Sequence, residues 1–332
     1  MSEVVINFTM PVFNRLTATQ QALVALFKSD RTIPFSITVV DNGSEQELVK
    51  KLRDFHDDKV IDKLFLLPKN MGIACACNIG WDMTPAEFYC KIDNDTAPLR
   101  RDWISSLLKL WRHGESLSTL GYAGTKEELL QNPGAIYTDE GILGVCKSNL
   151  AGTGIFIPKS VSDILGHWNE EYGLYGGEDG DYGLRMVCAG FKQYYYYGPD
   201  YIRCDLDVIN EAQYVTHGLD KNEERFSLFH DQHHKLGTFV TNHYLFNCCI
   251  RSWKVKRRYY IKDIDDKCRV DIAECEDYEA TRIALSQCRT LMDDALERRQ
   301  GLSDVELIMQ LKDIMKKCGQ SLDSFLPVAP SS

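Results

Sequence analysis

The 332-residue chain reads as an α/β protein, a mixed but mainly parallel sheet covered by helices, with a C-terminal helical appendage. Three observations predict this. Short β-branched and aromatic runs alternate with runs of helical period from the N-terminus onward, the pattern of βαβ units. Acidic and glycine-containing clusters fall at the carboxyl ends of the predicted strands, where open parallel sheets gather their ligands. After about Asp263 the composition shifts to helix formers, and a Ser303-Asp304-Val305-Glu306 capping box opens a late helix.

The elements follow in order. Val4 to Phe8 is the first strand, stopped at Pro11, which has no backbone N–H to give to a ladder. Thr17 to Phe27 is a helix, with Ala18, Ala22, Leu23, Ala25, Leu26 and Phe27 recurring at helical spacing. Ser36 to Val40, Glu45 to Phe55 and Lys63 to Leu67 read as strand, helix and strand. A helix from Ala74 to Trp81 follows Gly72, and Phe88 to Ile92 is a strand that delivers Asp93-Asn94-Asp95 at its end. Asp102 to His113 is helical, burying Trp103, Leu107, Leu108 and Trp111. Thr153 to Ile157 and Tyr194 to Tyr197 are later strands, with a helix over Asp179 to Cys188 between them. The expected division is residues 1–242 as the α/β domain and 243–332 as a mainly helical region.

Composition bounds the function classes. Hydrophobic residues at 44% and charged residues at 26% suit a folded globular chain. The 12 cysteines lack paired CxxC spacing, so they read as reduced thiols rather than a zinc site. No run reaches the roughly 18 to 20 apolar residues needed to cross a bilayer, and the N-terminus lacks a signal-peptide pattern. A soluble, cytoplasmic protein is the expectation. The net charge of -10 argues against coating a polyanion with the whole surface. One stretch, Arg251 to Lys262, is basic and aromatic, and reads either as a solvated face or as a peripheral polyanion or membrane-surface contact.

The acidic triplet is the first chemical signal. In an extended segment residues i and i+2 share a face, so Asp93 and Asp95 can approach one divalent ion; an Asp-rich turn capping the next helix is the alternative. Further clusters sit at other strand ends: Met10-Pro11-Val12-Phe13-Asn14-Arg15, Val39-Val40-Asp41-Asn42-Gly43-Ser44, Asn70-Met71-Gly72 with Asn78-Ile79-Gly80, and Gly176-Gly177-Glu178-Asp179-Gly180-Asp181 with Arg185 beyond.

Taken in order with Lys91-Ile92-Asp93-Asn94-Asp95, these motifs resemble glycosyltransferase family 2, of the GT-A fold, whose Rossmann-like sheet binds nucleotide-diphospho-sugars. The Glu178-Asp179 segment also resembles the acidic motif of inverting members and of the β-1,4-galactosyltransferases, although Gly180 stands where the latter have a third acid. The resemblance covers Val4 to His217. It implies transfer of a sugar from a UDP- or dTDP-linked donor to an acceptor hydroxyl, with inversion and with Mn²⁺ or Mg²⁺. Pro11 and Phe13 would line the base pocket, with Asn14 and Arg15 beside them, and Asp41 would accept the base's ring N–H. Asn70, Gly72, Asn78 and Asn94 would lie against ribose or phosphates. Asp95 would hold the metal directly, Asp93 would contact ribose or metal-bound water, and His217 would complete the site, with His230, His233 or His234 as alternatives. Asp179 would be the catalytic base and Glu178 its partner at the sugar. Trp168, Tyr175 and Gly177 would receive the acceptor, for the two aromatics with core packing as the other reading. The acceptor itself stays open among a glycan, a lipid-linked sugar, a protein and a modified nucleobase. A nucleotidyltransferase and a non-catalytic sugar- or polyanion-binding module are the competing classes.

Overall fold

The computed structural model describes residues 4–204, apart from 116, 123–126, 131, 133, 147–152, 171–172, 176–177, 189–190 and 199–200, together with 255–278 apart from 277. The chain alternates β1 (Ile6–Val12), α1 (Leu16–Phe27), β2 (Phe35–Asp41), α2 (Gln46–Asp57), β3 (Lys63–Leu66), α3 (Ile73–Met83) and β4 (Phe88–Lys91). There follow β5 (Ala97–Pro98), α4 (Trp103–Trp111), β6 (Thr119–Tyr122), α5 (Glu127–Leu130), β7 (Ile136–Tyr137), β8 (Ile142–Val145) and β9 (Ile155–Pro158). The rest are α6 (Lys159–Leu165), α7 (Glu178–Cys188), β10 (Gln193–Tyr197), β11 (Ile202–Arg203), β12 (Tyr259–Ile264) and β13 (Val270–Glu274).

Nine strands form one sheet in the order β3-β2-β1-β4-β9-β6-β10-β8-β7. β3, β2, β1 and β4 are mutually parallel, β9 is antiparallel to β4, and β10 returns parallel to β6. Strand alternation sorts the residues onto two layers. Ile6, Phe8, Met10 and Val12 of β1, with Cys90 and Ile92 at β4, pack under α1, α2 and α4 in the larger core. On the other face Tyr89, Ile155 and Ile157 pack against α3, α6 and α7 through Cys77, Trp81, Leu165, Trp168, Tyr182 and Met186. β1 carries Asn7 and Thr9 there, both fully buried. Asn7 donates to the Gly80 and Thr84 carbonyls at 2.9 and 3.0 Å. A Cβ on Gly80 would collide with the Thr9 methyl, so the glycine sets how closely α3 approaches β1.

One expectation is corrected. β1 runs through Pro11 to Val12, with Pro11 opposite Val40. Its pairing with β4 stops at Thr9 and Lys91, so the missing N–H of Pro11 lies on the side where no ladder continues. Within 255–278, part of the region expected to be mainly helical, β12 and β13 pair as an antiparallel hairpin. Tyr259, Ile261, Val270 and Ile272 pack on Phe65, Cys75, Ala76 and Ile79, covering α3. The later helices expected from the sequence fall on residues outside those described.

Candidate active site

The carboxyl ends of β1, β2 and β4 converge. In the β1–α1 turn Asn14 and Arg15 both hold left-handed backbone, φ 54° and 64°, a conformation that costs non-glycine residues energy and must be held by its surroundings. The surroundings do so. The Asn14 N–H donates to Ser44 Oγ at 2.8 Å, and Asn14 Oδ1 accepts from the Glu45 N–H at 3.0 Å. Asn94 Nδ2 donates to the Asn14 carbonyl and to Thr19 Oγ1 at 3.2 and 2.9 Å. Arg15 is thereby aimed at Asp95, with Nη1 to Oδ2 at 2.7 Å. Phe13 is half-buried beside this turn and Pro11 is buried.

Asp41, at the end of β2, is 1% exposed. Its Oδ2 accepts from the Ser44 N–H at 3.2 Å, while Oδ1 is buried with no hydrogen-bond partner among the described residues. Burial pushes the carboxyl pKa up, and hydrogen bonds from Ser44 and Gly43 only partly offset this. A buried acceptor without a donor is costly, about 1–3 kcal/mol, unless something supplies one. Asn70 Oδ1 accepts from the Gly72 N–H at 3.0 Å, and Asn42 Oδ1 from the Met71 N–H at 2.8 Å. At Gly72 φ is 92°, and a Cβ there would collide with the Gly173 carbonyl, so this turn is fastened to the loop that leads to α7.

The acids are arranged differently from the simple i, i+2 picture. The strand ends at Lys91, and Thr96 N–H bonds back to the Asp93 carbonyl at 3.1 Å, which turns the chain between the two aspartates. Asp93 follows Tyr89 and Lys91 toward the α7 layer, and its Oδ1 takes the Lys91 ammonium at 2.8 Å. Its backbone N–H donates to Thr153 Oγ1 at 2.9 Å. Burial raises the Asp93 carboxyl, Lys91 opposes, and the charges of Asp95 and Asp179 add to the rise. So Asp95 and Asp179, from two distant motifs, each lie within electrostatic reach of Asp93. Asp93 and Asp95 offer hard carboxylate oxygens, the donors Mg²⁺ and Mn²⁺ prefer. Among the described residues no three His, Cys, Asp or Glu side chains gather as a ready cage. The pair fits a cation that takes its remaining ligands from a diphosphate and water.

α7 presents Glu178 and Asp179 at its first turn. Asp179 Oδ1 accepts the Gly180 N–H at 2.8 Å. Glu178 is 4% exposed, its Oε2 has no hydrogen-bond partner among the described residues, and its pKa is pushed up to about 7 by burial and by the charge of Asp179, against the pull of Lys91. The helix is anchored by Arg185. Its Nε meets Asp181 Oδ2 at 2.8 Å, Nη1 and Nη2 donate to the Leu165 and His167 carbonyls at 2.8 Å, and the guanidinium lies 4.6 Å from the Tyr182 ring centre.

Two sequence-predicted site residues serve elsewhere. Asn78 is fully buried, giving Nδ2 to the Trp168 carbonyl at 2.9 Å and to Glu170 Oε1 at 2.6 Å, and receiving the Trp168 N–H on Oδ1 at 2.8 Å. It clamps the pre-α7 segment rather than facing a ribose. The Trp168 ring is fully buried against Trp81 and Tyr182, out of reach of an acceptor. Tyr175 is half-buried, whereas Gly176, Gly177, His217, His230, His233 and His234 lie outside the described residues. In the basic stretch Arg257 pairs with Asp82, Arg258 with Glu274 at 2.9 Å and Lys262 with Asp271 at 3.9 Å, so these cations serve the fold. Arg251 and Lys254 lie outside. Lys91, Thr153 and Glu170 were not singled out from sequence; a lysine two residues before an aspartate at a strand end is the one signal that could have drawn attention to Lys91.

Residues 8–140 match glycosyl transferase family 2. The match covers β1 to β7 and supports a glycosyltransferase enzyme. Among solved structures it is similar to TarS 1-349 of S. aureus in complex with UDP, at 13% identity and a TM-score of 0.47 over 98% of this chain and 95% of that one. A longer TarS chain matches at 15% identity and a TM-score of 0.45 over 74% of this chain and only 44% of that one. GalNAc-T7 with UDP, GalNAc and Mn²⁺ matches at 12% identity and a TM-score of 0.47 over 73% and 51%. No curated protein sequence matches the chain.

Proposed function

We propose that the chain transfers a sugar from a UDP- or dTDP-linked donor to an acceptor hydroxyl by a single inverting displacement. The support for this is the family 2 match together with two acid motifs on one layer: α7, whose first turn carries Glu178 and Asp179, packs through Tyr182 and Met186 on the same sheet face as Tyr89 of β4, the strand that leads into Asp93. On this reading Asp41 receives the base N–H, Phe13 and Pro11 bound the ring, and Arg15 faces the diphosphate. Asp95, with Asp93 beside it, would hold Mn²⁺ or Mg²⁺, which when bound neutralises charge growing on the leaving diphosphate. Asp179 removes the proton of the attacking hydroxyl, and Glu178 hydrogen-bonds the sugar next to it. A single base opposite the leaving group accords with inversion. Tyr175 and Gly177 would border the acceptor.

The test is turnover of a panel of UDP- and dTDP-sugars with Mn²⁺, reading nucleotide release and the anomeric configuration of the product by NMR. Asp179→Asn should lower transfer at least 100-fold, in line with loss of a general base, while UDP still binds. Undiminished transfer by Asp179→Asn, or a product that retains the donor's configuration, would refute the reading.

A further inference from the structure

We infer that Tyr197 and Tyr137 form a platform that stacks the sugar rings of a neutral glycan acceptor, on the sheet face that carries the strand-end acid of β4. The inference deepens the reading above by naming the acceptor class, and it rests on that reading for the reaction itself. Its basis is the register of the sheet. Cys90, Phe156, Leu120, Tyr194 and Val145 are successive partners across β4, β9, β6, β10 and β8, and all five pack in the larger core. Three positions nearer the carboxyl end of β4, the same row holds Asp93, Thr153, Tyr197 and Ile142, and Tyr137 of β7 lies opposite Ile142. An odd step along a strand changes face, so this row belongs to the α7 layer. The Asp93 N–H reaches Thr153 Oγ1 at 2.9 Å, so the row still holds beyond the last ladder pair of β4. Tyr197 packs there beside Leu129 and Ile142.

The two rings are accessible and their backbone is held. Tyr137 is 60% exposed and Tyr197 is half-buried. In the turn between β7 and β8 the Thr138 N–H donates to the Gly141 carbonyl at 2.9 Å, and Thr138 Oγ1 accepts from the Glu140 and Gly141 N–H groups at 3.2 and 3.1 Å. The Tyr201 hydroxyl donates to the Glu140 carbonyl at 2.5 Å. A Cβ on Gly141 would collide with the Tyr197 carbonyl, so the hairpin sits tightly on β10. β10 is the third strand from β4 and β7 the fifth. At about 4.8 Å per strand, Tyr197 stands about 14 Å and Tyr137 about 24 Å from the β4 end of the row, with about 10 Å between them. A pyranose is apolar on its C–H face and polar at its rim, which suits a phenol whose ring face is electron-rich and whose hydroxyl stays wet. Two such faces in one line fit successive units of a sugar chain. A nucleobase needs only one, and a lipid tail needs a continuous apolar strip, whereas Ile142 between the two rings is 7% exposed. Charge narrows the choice further: residues 134–145 contain Asp139 and Glu140 and no Lys or Arg, which favours a neutral glycan over a polyanion.

The test is binding of the full chain to an array of neutral oligosaccharides, from monosaccharides to hexasaccharides, together with sulfated and sialylated glycans and acidic peptides, read with and without UDP. Wild type should bind neutral members with an affinity that rises with chain length. Tyr137→Ala should weaken binding of the longer members about tenfold, the usual scale for truncating a contacting aromatic, and flatten the dependence on length. Tyr137→Trp, which keeps a stacking face, should preserve that dependence. Phe27→Ala, which truncates another exposed aromatic on the α1 layer, should bind as wild type does. Tyr137 is largely exposed, so its loss leaves the core intact and the change in affinity reports on the surface. The inference is overturned if no neutral member binds in either condition, if Tyr137→Ala binds the longer members as wild type does, or if charged glycans or acidic peptides are preferred. Because this binding is read without turnover, the two readings fail separately: glycan binding that depends on Tyr137 in a protein that consumes no nucleotide-sugar would sink the transfer reading alone, and sugar transfer with glycan binding indifferent to Tyr137 would sink the platform alone.

Discussion

Replacing Asp41 with Asn should move binding and stability in opposite directions. The amide keeps an oxygen for the Ser44 N–H, so the turn is preserved. What changes is Oδ1, the buried oxygen without a partner. If it accepts the ring N–H of a uracil or thymine, the bond lost is one to a charged acceptor, roughly 1.5–3 kcal/mol. At about 1.4 kcal/mol per decade, UDP should bind roughly 10- to 150-fold more weakly. In the unliganded protein the sign reverses. Burial holds the folded-state pKa of Asp41 above its unfolded value. Its stabilising contribution is therefore complete only below the unfolded pKa and is lost as pH rises through the folded one. At neutral pH the ionised group opposes folding, and Asp41→Asn removes that opposition. Calorimetry with UDP and thermal melts without it measure the two effects. A variant that binds UDP as wild type does would refute the assignment of Oδ1 to the base; one that melts lower without ligand would refute the electrostatic account.

Two further predictions concern the scaffold. Arg185→Met takes the Arg185 Nε from the buried Asp181 carboxylate and the Nη donors from two carbonyls, and should lower unfolding stability by about 3–5 kcal/mol in urea titrations; a loss below about 1 kcal/mol would show that the helix is anchored otherwise. Glu170, with its pKa raised by burial from 4.5 to about 7, contributes stability that is complete below 4.5 and disappears as pH rises through 7. Glu170→Gln, which keeps an oxygen for Asn78, should therefore gain on wild type by about 3 kcal/mol between pH 4 and pH 8, at 1.36 kcal/mol per unit. Parallel stability curves for the two proteins over that range would contradict it.

Much of the architecture was legible because burial on both sheet faces forces apolar runs at β1, β2 and β4, and helical stripes such as Leu48, Val49, Leu52 and Phe55 leave no other period. Pro11 was misread because its tolerance depends on where the neighbouring strand stops, a tertiary fact. The hairpin of β12 and β13 was missed because Lys262, Asp263 and Asp271 interrupt the apolar residues on a sheet with one open face. In the site, the acid clusters were visible as strand-end punctuation. The different counter-ions of Asp93 and Asp95 were not, since a turn of a few residues decides which side each carboxylate faces. Asn78 and Trp168 were misplaced for a related reason: their motif marks the position, but only packing tells whether a side chain looks into the cleft or the core.

The C-terminal hairpin has a bearing on how the sheet ends. The Cys268 carbonyl accepts the Leu66 N–H at 2.8 Å and Arg269 forms a bridge with Leu66, so the outermost parallel strand meets a partner from a distant part of the same chain. At the opposite border β7 is two residues long. Among the described residues, then, neither border offers a visiting chain a long ladder of vacant amides, which discourages stacking of molecules through their sheets.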